Sequence, residues 1–243
     1  MAKEIFYNVP CGLFQGFLGS DMDKRRVFDD IINYVAYKED SRLEKTISDD
    51  VKRWNETCRN MGCIIRDKER TLDRGFEISV KHKNNAFFSI SHTIYWDFCD
   101  NYKSDEECVL LLAHLALKSI CGKRKYVKTN RFLWLSRMDG KSAPKYKSGK
   151  KKTLDLSAAI KRYDTEYGAR KLRSLLFQYY HDSFYTGGSR GFYYSSTLSI
   201  EELIKAVQSD NQQRIDPLKN AMKMAQESVV GVSQEFDRKD LGV

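Results

Sequence analysis

The chain has 243 residues, 42 Lys+Arg against 33 Asp+Glu, and a formal net charge of +9. That length supports one large domain or two small ones, while 12% aromatics and only three prolines exclude a disordered or collagen-like chain. No run of about 18 apolar residues occurs, so no transmembrane helix is predicted and no membrane partner is expected.

Residues 5–19 mix aromatics and glycines, among them Phe6, Tyr7, Phe14, Phe17, Gly12 and Gly16, and read as an apolar segment of little regularity. A helix is predicted after Ser20 or Asp21, with Val27, Ile31, Ile32, Tyr34 and Val35 on a broad apolar face. A second is predicted from Ser48, carrying Val51, Trp54, Cys58 and Met61 at spacings of three or four, and Gly62 closes it. Phe76–Val80 and Ala86–Ser91 flank a polar His82-Lys83-Asn84-Asn85 turn and suggest a β-hairpin.

Ser104 followed by Asp105-Glu106-Glu107 has the spacing of a capping box, ahead of an almost wholly apolar run from Val109 to Leu117. A helix apolar all round belongs at the centre of a core, with His114 inside it as a hydrogen-bonded structural histidine. Gly122 ends it. A short helix is predicted from Thr129 to Met138, then a basic loop over residues 141–153. An amphipathic stretch follows from near Leu154, and then a helix over 165–180. Ile200–Val207 forms a further apolar helix. Another spans Pro217–Val230, before a loose C-terminal tail.

Charge is unevenly distributed. Between Lys118 and Arg173 there are 18 basic and 4 acidic residues, a net +14, which leaves −5 for the remainder. Solubility does not require signs to be segregated in this way, and a concentrated positive field is the footprint of a polyanion-binding surface. The six cysteines include one close pair, Cys58 and Cys63, with no second pair to mirror it, and the four histidines are scattered. They read as buried, reduced thiols of a cytoplasmic protein, and no metal or other cofactor is expected.

On a wheel of the 165–180 helix, Ala169, Leu172, Leu175, Leu176 and Tyr179 cluster on one side. Tyr167, Arg170 and Ser174 fall opposite, with Lys171 and Arg173 on the flanks. Guanidinium, ammonium, phenol and hydroxyl groups are those that contact phosphates and base edges. Two aromatic segments, Ser183-Phe184-Tyr185 and Phe192-Tyr193-Tyr194, then flank Gly187-Gly188-Ser189-Arg190-Gly191, a tight turn with Arg190 at its tip. This loop lacks the closing Gly-Lys-Ser/Thr of a nucleotide-binding P-loop.

A helix, a short helix (Thr129-Asn130…Leu133…Arg137-Met138), a basic amphipathic helix (Tyr167-Gly168-Ala169-Arg170-Lys171-Leu172-Arg173) and an arginine-tipped hairpin resemble, over about residues 104–207, the winged helix-turn-helix superfamily. The resemblance implies a recognition helix in the DNA major groove and a wing on the backbone or minor groove. The chain departs from the simple pattern by a spacer of about 25 residues between its second and third helices, which leaves open one interrupted winged helix or two overlapping helix-turn-helix units.

The expected fold is α+β and predominantly helical, with an N-terminal helical subdomain (1–103) serving dimerisation or partner binding. A winged-helix nucleic-acid-binding domain (104–207) and a C-terminal helix and tail (208–243) follow. The expected function is double-stranded DNA binding without catalysis, in transcriptional regulation or in replication or maintenance of a mobile element. Expected DNA contacts are Lys123, Arg124, Lys125, Lys128, Asn130, Arg131, Lys150, Lys151, Lys152, Tyr167, Arg170, Lys171, Arg173, Ser174 and Arg190. Two alternatives stand beside it. One is a replication initiator or relaxase, for which Tyr179-Tyr180-His181 offers a tyrosine nucleophile. The other is an RNA-binding or protein-interaction module that uses Tyr126, Trp134, Tyr146 and Tyr163 to stack on unpaired bases.

Overall fold

A computed structural model describes residues 5–14, 17–19, 23–39, 46–61, 86–101, 104–141, 156–187 and 191–213, with single positions at 68, 71, 73, 215 and 217. The chain divides into two compact units, Met1–Thr197 and Leu198–Val243.

In the first unit, β1 (Phe6–Pro10) leads through two short 3-10 turns, Cys11–Phe14 and Phe17–Gly19, into α1 (Lys24–Glu39) and α2 (Asp50–Met61). Strand β2 (Phe87–Ser91), α3 (His92–Asp100) and α4 (Asp105–Cys121) follow. Then come β3 (Val127–Thr129), α5 (Arg131–Met138), α6 (Ala158–Lys161), α7 (Glu166–Tyr180), β4 (Ser183–Tyr185) and β5 (Phe192–Ser195). In the second unit residues 200–213 are helical (α8), opened by a reciprocal pair in which Ser199 N–H donates to Glu202 Oε2 (2.8 Å) and Glu202 N–H to Ser199 Oγ (3.2 Å). Leu203 and Val207, four residues apart, are its buried side chains. The architecture is α+β and mostly helical, with eight helices and two small antiparallel sheets among the described residues. None of these helices is long and apolar enough to cross a membrane.

Helix α4 is the centre of the core. From Cys108 to Leu117 every residue is buried, and β2, α5, α7 and β5 pack around it. Its start is fixed locally by the capping box: Ser104 Oγ accepts from Glu107 N–H (3.3 Å) and Glu107 Oε2 accepts from Ser104 N–H (2.8 Å). Its end is set by Gly122 at φ +60°. Ser104→Ala removes the acceptor for an otherwise unpartnered helix N–H. It is expected to destabilise the fold by about 1 kcal/mol, read as a lower midpoint in circular-dichroism melting. Trp134 on α5 is fully buried and donates its indole N–H to the Ala113 carbonyl (3.1 Å), locking α5 across α4.

One hydrophobic cluster runs from Tyr7 and Val9 through Phe28, Phe88, Ile90 and Leu112 to Leu172 and Tyr194. Residues before and after position 103 therefore share a core. The second unit begins at Leu198, ahead of the boundary read at 208. The segment read as irregular supplies β1, and the described partner of β2 is β1, in antiparallel register Phe6↔Ser91 to Pro10↔Phe87. The other arm of the expected hairpin, residues 76–80 with the His82 turn, lies outside the described residues. So do Cys63 and all of the Pro217–Val230 helix beyond its first residue. Thr129 belongs to β3, and the α5 N-cap is Asn130, whose side chain accepts from Leu133 N–H (3.0 Å).

The second sheet has the order β3-β5-β4, antiparallel throughout. Chain order is thus helix, strand, helix, short helix, helix and hairpin, with β3 pairing on the far side of β5. Gly191 makes that pairing possible. It sits at φ +100°, and a Cβ there would lie 2.3 Å from the Thr129 carbonyl oxygen.

Candidate nucleic-acid interface

Helix α7 is placed by its first turn. Thr165 Oγ1 accepts from Gly168 N–H (2.9 Å). A Cβ on Gly168 would lie 2.9 Å from both Arg162 O and Tyr163 Cα, so this glycine lets the α6–α7 turn close onto the helix. Gly168, Ala169, Leu172 and Leu176 form the buried stripe. Tyr167 (78% exposed), Arg170, Lys171, Ser174 and Phe177 project outward, and among the described residues Arg170 and Lys171 make no ion pair. Leu175 is only half-buried and Tyr179 is 61% exposed, so the buried stripe is narrower than the wheel predicts.

Arg131, Arg173 and Arg124 have internal roles. Glu166 lies between two guanidiniums, 3.3 Å from Arg173 Nη2 and 3.6 Å from Arg131 Nη1. Arg131 also approaches Asp164 (3.2 Å), and Arg173, with a side chain only 15% exposed, lies 5.1 Å over the Phe192 ring. Arg124 donates to the Cys121 carbonyl (3.0 Å) and to that of Ile120, and so caps the end of α4. Asn130 is occupied as the α5 cap. Lys123 and Lys125 are exposed in the α4–β3 turn, and Lys128 is exposed on β3 with its ammonium 5.5 Å over the Tyr193 ring. The structure thus gathers Arg131, Arg173 and the α7 N-terminus around one carboxylate. It leaves Arg170, Lys171, Lys123, Lys125 and Lys128 facing solvent. Lys150, Lys151, Lys152 and Arg190 lie outside the described residues.

The exit of α7 rests on a buried polar cluster that sequence reasoning found only in part. His181 adopts a left-handed conformation (φ 56°), and its N–H returns to the Phe177 carbonyl (3.1 Å). Asp182 follows, fully buried. His114 Nδ1 hydrogen-bonds its Oδ2 (2.8 Å), and the Tyr194 hydroxyl donates to its Oδ1 (3.1 Å). His114 is therefore a hydrogen-bonded core residue, and Tyr180 stacks on its ring at 4.2 Å and 12°. Burial pushes the Asp182 carboxyl above the usual carboxylate range, and the His114 and Tyr194 contacts offset that only in part. Burial first, then the surrounding carboxylates, drive the Tyr180 hydroxyl well above its ordinary range, and burial with Asp182 does the same at Tyr194.

Cys11, Cys58, Cys99, Cys108 and Cys121 are buried, and burial raises the thiol of Cys11 to about 12 and that of Cys99 to about 11. No group of three His, Cys, Asp or Glu side chains able to hold a metal ion occurs among the described residues. Comparison with protein-family models, with curated proteins and with solved structures gives no match.

Proposed function

We propose that the chain is a nucleic-acid-binding protein whose contact surface is the outer side of α7, with the exposed lysines of the α4–β3 turn and β3 as further phosphate contacts. Within that class we assign it to duplex DNA binders of the winged-helix type, with residues 104–197 forming the module, α7 as recognition helix and β4–β5 as wing. The observation that carries the reading is the two-sidedness of α7. Arg170, Lys171, Ser174 and Tyr167 stand outward over a stripe that anchors the helix to the core. The sheet order β3-β5-β4 adds support, because it sets the hairpin directly after that helix and ties it to α4 through β3.

An exposed helix with outward Arg and Lys side chains enters a major groove about 12 Å wide and supplies both base-edge donors and phosphate contacts. Arg131 and Arg173, held by Glu166, stiffen the frame that presents it. Of the Tyr179-Tyr180 pair, Tyr180 is stacked on His114 with its hydroxyl proton held tightly, which makes it a poor nucleophile.

Fluorescence anisotropy with random and selected duplexes tests the assignment. Affinity is expected to fall steeply with salt, with log K against log[salt] losing about 0.9 of slope for each phosphate contact removed. Arg170→Ala is expected to weaken selected duplex more than random duplex by about 1–3 kcal/mol, whereas Lys123→Ala weakens both equally. Salt-independent binding, or equal losses from both changes, would contradict the division of roles.

A further inference from the structure

The sheet has an outward face whose tyrosine rings the α7 reading does not use. The register sets Lys128 opposite Tyr193 and Tyr193 opposite Tyr185, one residue from each strand. Their neighbours Val127, Phe192 and Tyr194 point into the core, so alternation puts this row outside. The Tyr185 and Tyr193 rings stack at 6.0 Å and 24°, and Tyr126 meets Tyr193 edge-on at 6.1 Å. Lys128 Nζ sits 5.5 Å over Tyr193. The three tyrosines are half-buried, so part of each ring reaches solvent. Gly187 allows the Tyr185 ring to lie down over the strand end, since a Cβ there would come within 2.8 Å of that ring.

Charge on the segments that build this face has one sign. Residues 122–129, 183–187 and 191–197 contain no Asp or Glu, while Lys123, Lys125 and Lys128 are exposed. A ladder serving only to hold strands together needs no surrounding cations and gains from opposite-charge pairs. Rings interleaved with ammonium groups suit a polymer that offers both π-faces and phosphates. A paired duplex keeps its bases stacked internally, so a ring row of this kind favours bases free to leave the stack.

We infer that the outer face of the β3-β5-β4 sheet binds an unpaired nucleic-acid strand, whose bases stack on Tyr126, Tyr185 and Tyr193 while its phosphates face Lys123, Lys125 and Lys128. This deepens the nucleic-acid reading by adding a ring surface for single strands that shares its lysines with the duplex reading, and changes at Arg170 and at the tyrosine rings test the two apart.

The experiment uses the full chain and a fluorescein-labelled oligothymidylate of about 20 nucleotides, longer than one such platform covers. Tyr185→Thr and Tyr193→Thr keep strand propensity but remove the ring, and each is expected to weaken oligothymidylate binding by about tenfold. The Phe substitutions at the same positions are expected to bind like wild type, and the Thr changes are expected to cost the single strand more than the duplex. Arg170→Ala is expected to do the reverse, lowering duplex affinity and sparing the single strand. Thr variants that bind oligothymidylate as tightly as wild type would overturn the inference, as would Phe variants that lose as much as Thr. Photocrosslinking of unmodified protein to an iodouracil-bearing single strand gives a check that does not depend on the variants folding. Crosslinks are expected on peptides carrying Tyr126, Tyr185 or Tyr193, and crosslinks confined to α7 would sink the assignment. Absent duplex binding with intact single-strand binding would count against the α7 reading alone.

Discussion

Asp182→Ala is expected to lower the unfolding free energy by about 3–5 kcal/mol, the largest effect of any polar substitution considered for this fold. The residue is fully buried and satisfies two groups at once, the His114 imidazole on α4 and the Tyr194 hydroxyl on β5. Truncation takes the Asp182 acceptor from both, in a place where little water reaches. Asp182→Asn retains an acceptor of nearly the same shape and is expected to cost much less. The difference between the two, read from urea unfolding, separates the lost hydrogen bonds from the lost charge. The carboxyl also gives the wild type a pH signature. Because its native pKa is raised, the folded protein holds this proton at pH values where the unfolded chain has released it. The contribution of Asp182 is therefore largest below the ordinary aspartate value of about 4, and it is lost as pH rises from there through the raised native value. The stability difference between wild type and Asp182→Asn should shift in that direction over the window. An unchanged difference would mean that the His114 contact fully cancels the effect of burial.

Gly191→Ala is expected to destabilise the fold by about 3 kcal/mol, through two causes that a control can separate. At φ +100° an alanine is strained, and its Cβ would sit 2.3 Å from the Thr129 carbonyl oxygen, a backbone atom that can retreat only by breaking the β3–β5 pairing. Gly122 is also at positive φ (+60°), yet nothing lies within 4 Å of a Cβ placed there. Gly122→Ala thus carries backbone strain alone, and the excess loss at position 191 measures the clash. If the two variants melt together, the close approach to β3 contributes nothing.

The features legible in the sequence are those whose cause is local. The Ser104–Glu107 box, the apolar run through Leu117, the α7 span and its Arg170 side depend on spacings of three or four residues, and each shows in the chain itself. The features that escaped are set by distant partners. Phe6–Pro10 is a short strand containing Asn and Pro, and its pairing with Phe87–Ser91 is made across some eighty residues. Strand β3 has three residues and becomes a strand because β5 arrives beside it. His114 was recognisable as a core histidine, but its Asp182 partner is 68 positions away, beyond any periodic pattern. At the interface, composition revealed the cationic excess without separating its members. The wheel puts Arg170 on the outer side and Arg173 on a flank, as it does Lys171, and only the proximity of Glu166 and the Phe192 ring commits Arg173 to the frame.

The single core running from Val9 to Tyr194 also bears on how the molecule can be dissected. Deletion of everything before Ser104 would strip β2, with the buried Phe88 and Ile90, from the flank of α4 and lay bare the central helix. Such a truncated polypeptide should aggregate or lose cooperativity rather than act as a minimal binding fragment. Informative pieces of this protein will come from trimming after Thr197, where the chain itself parts into separate units.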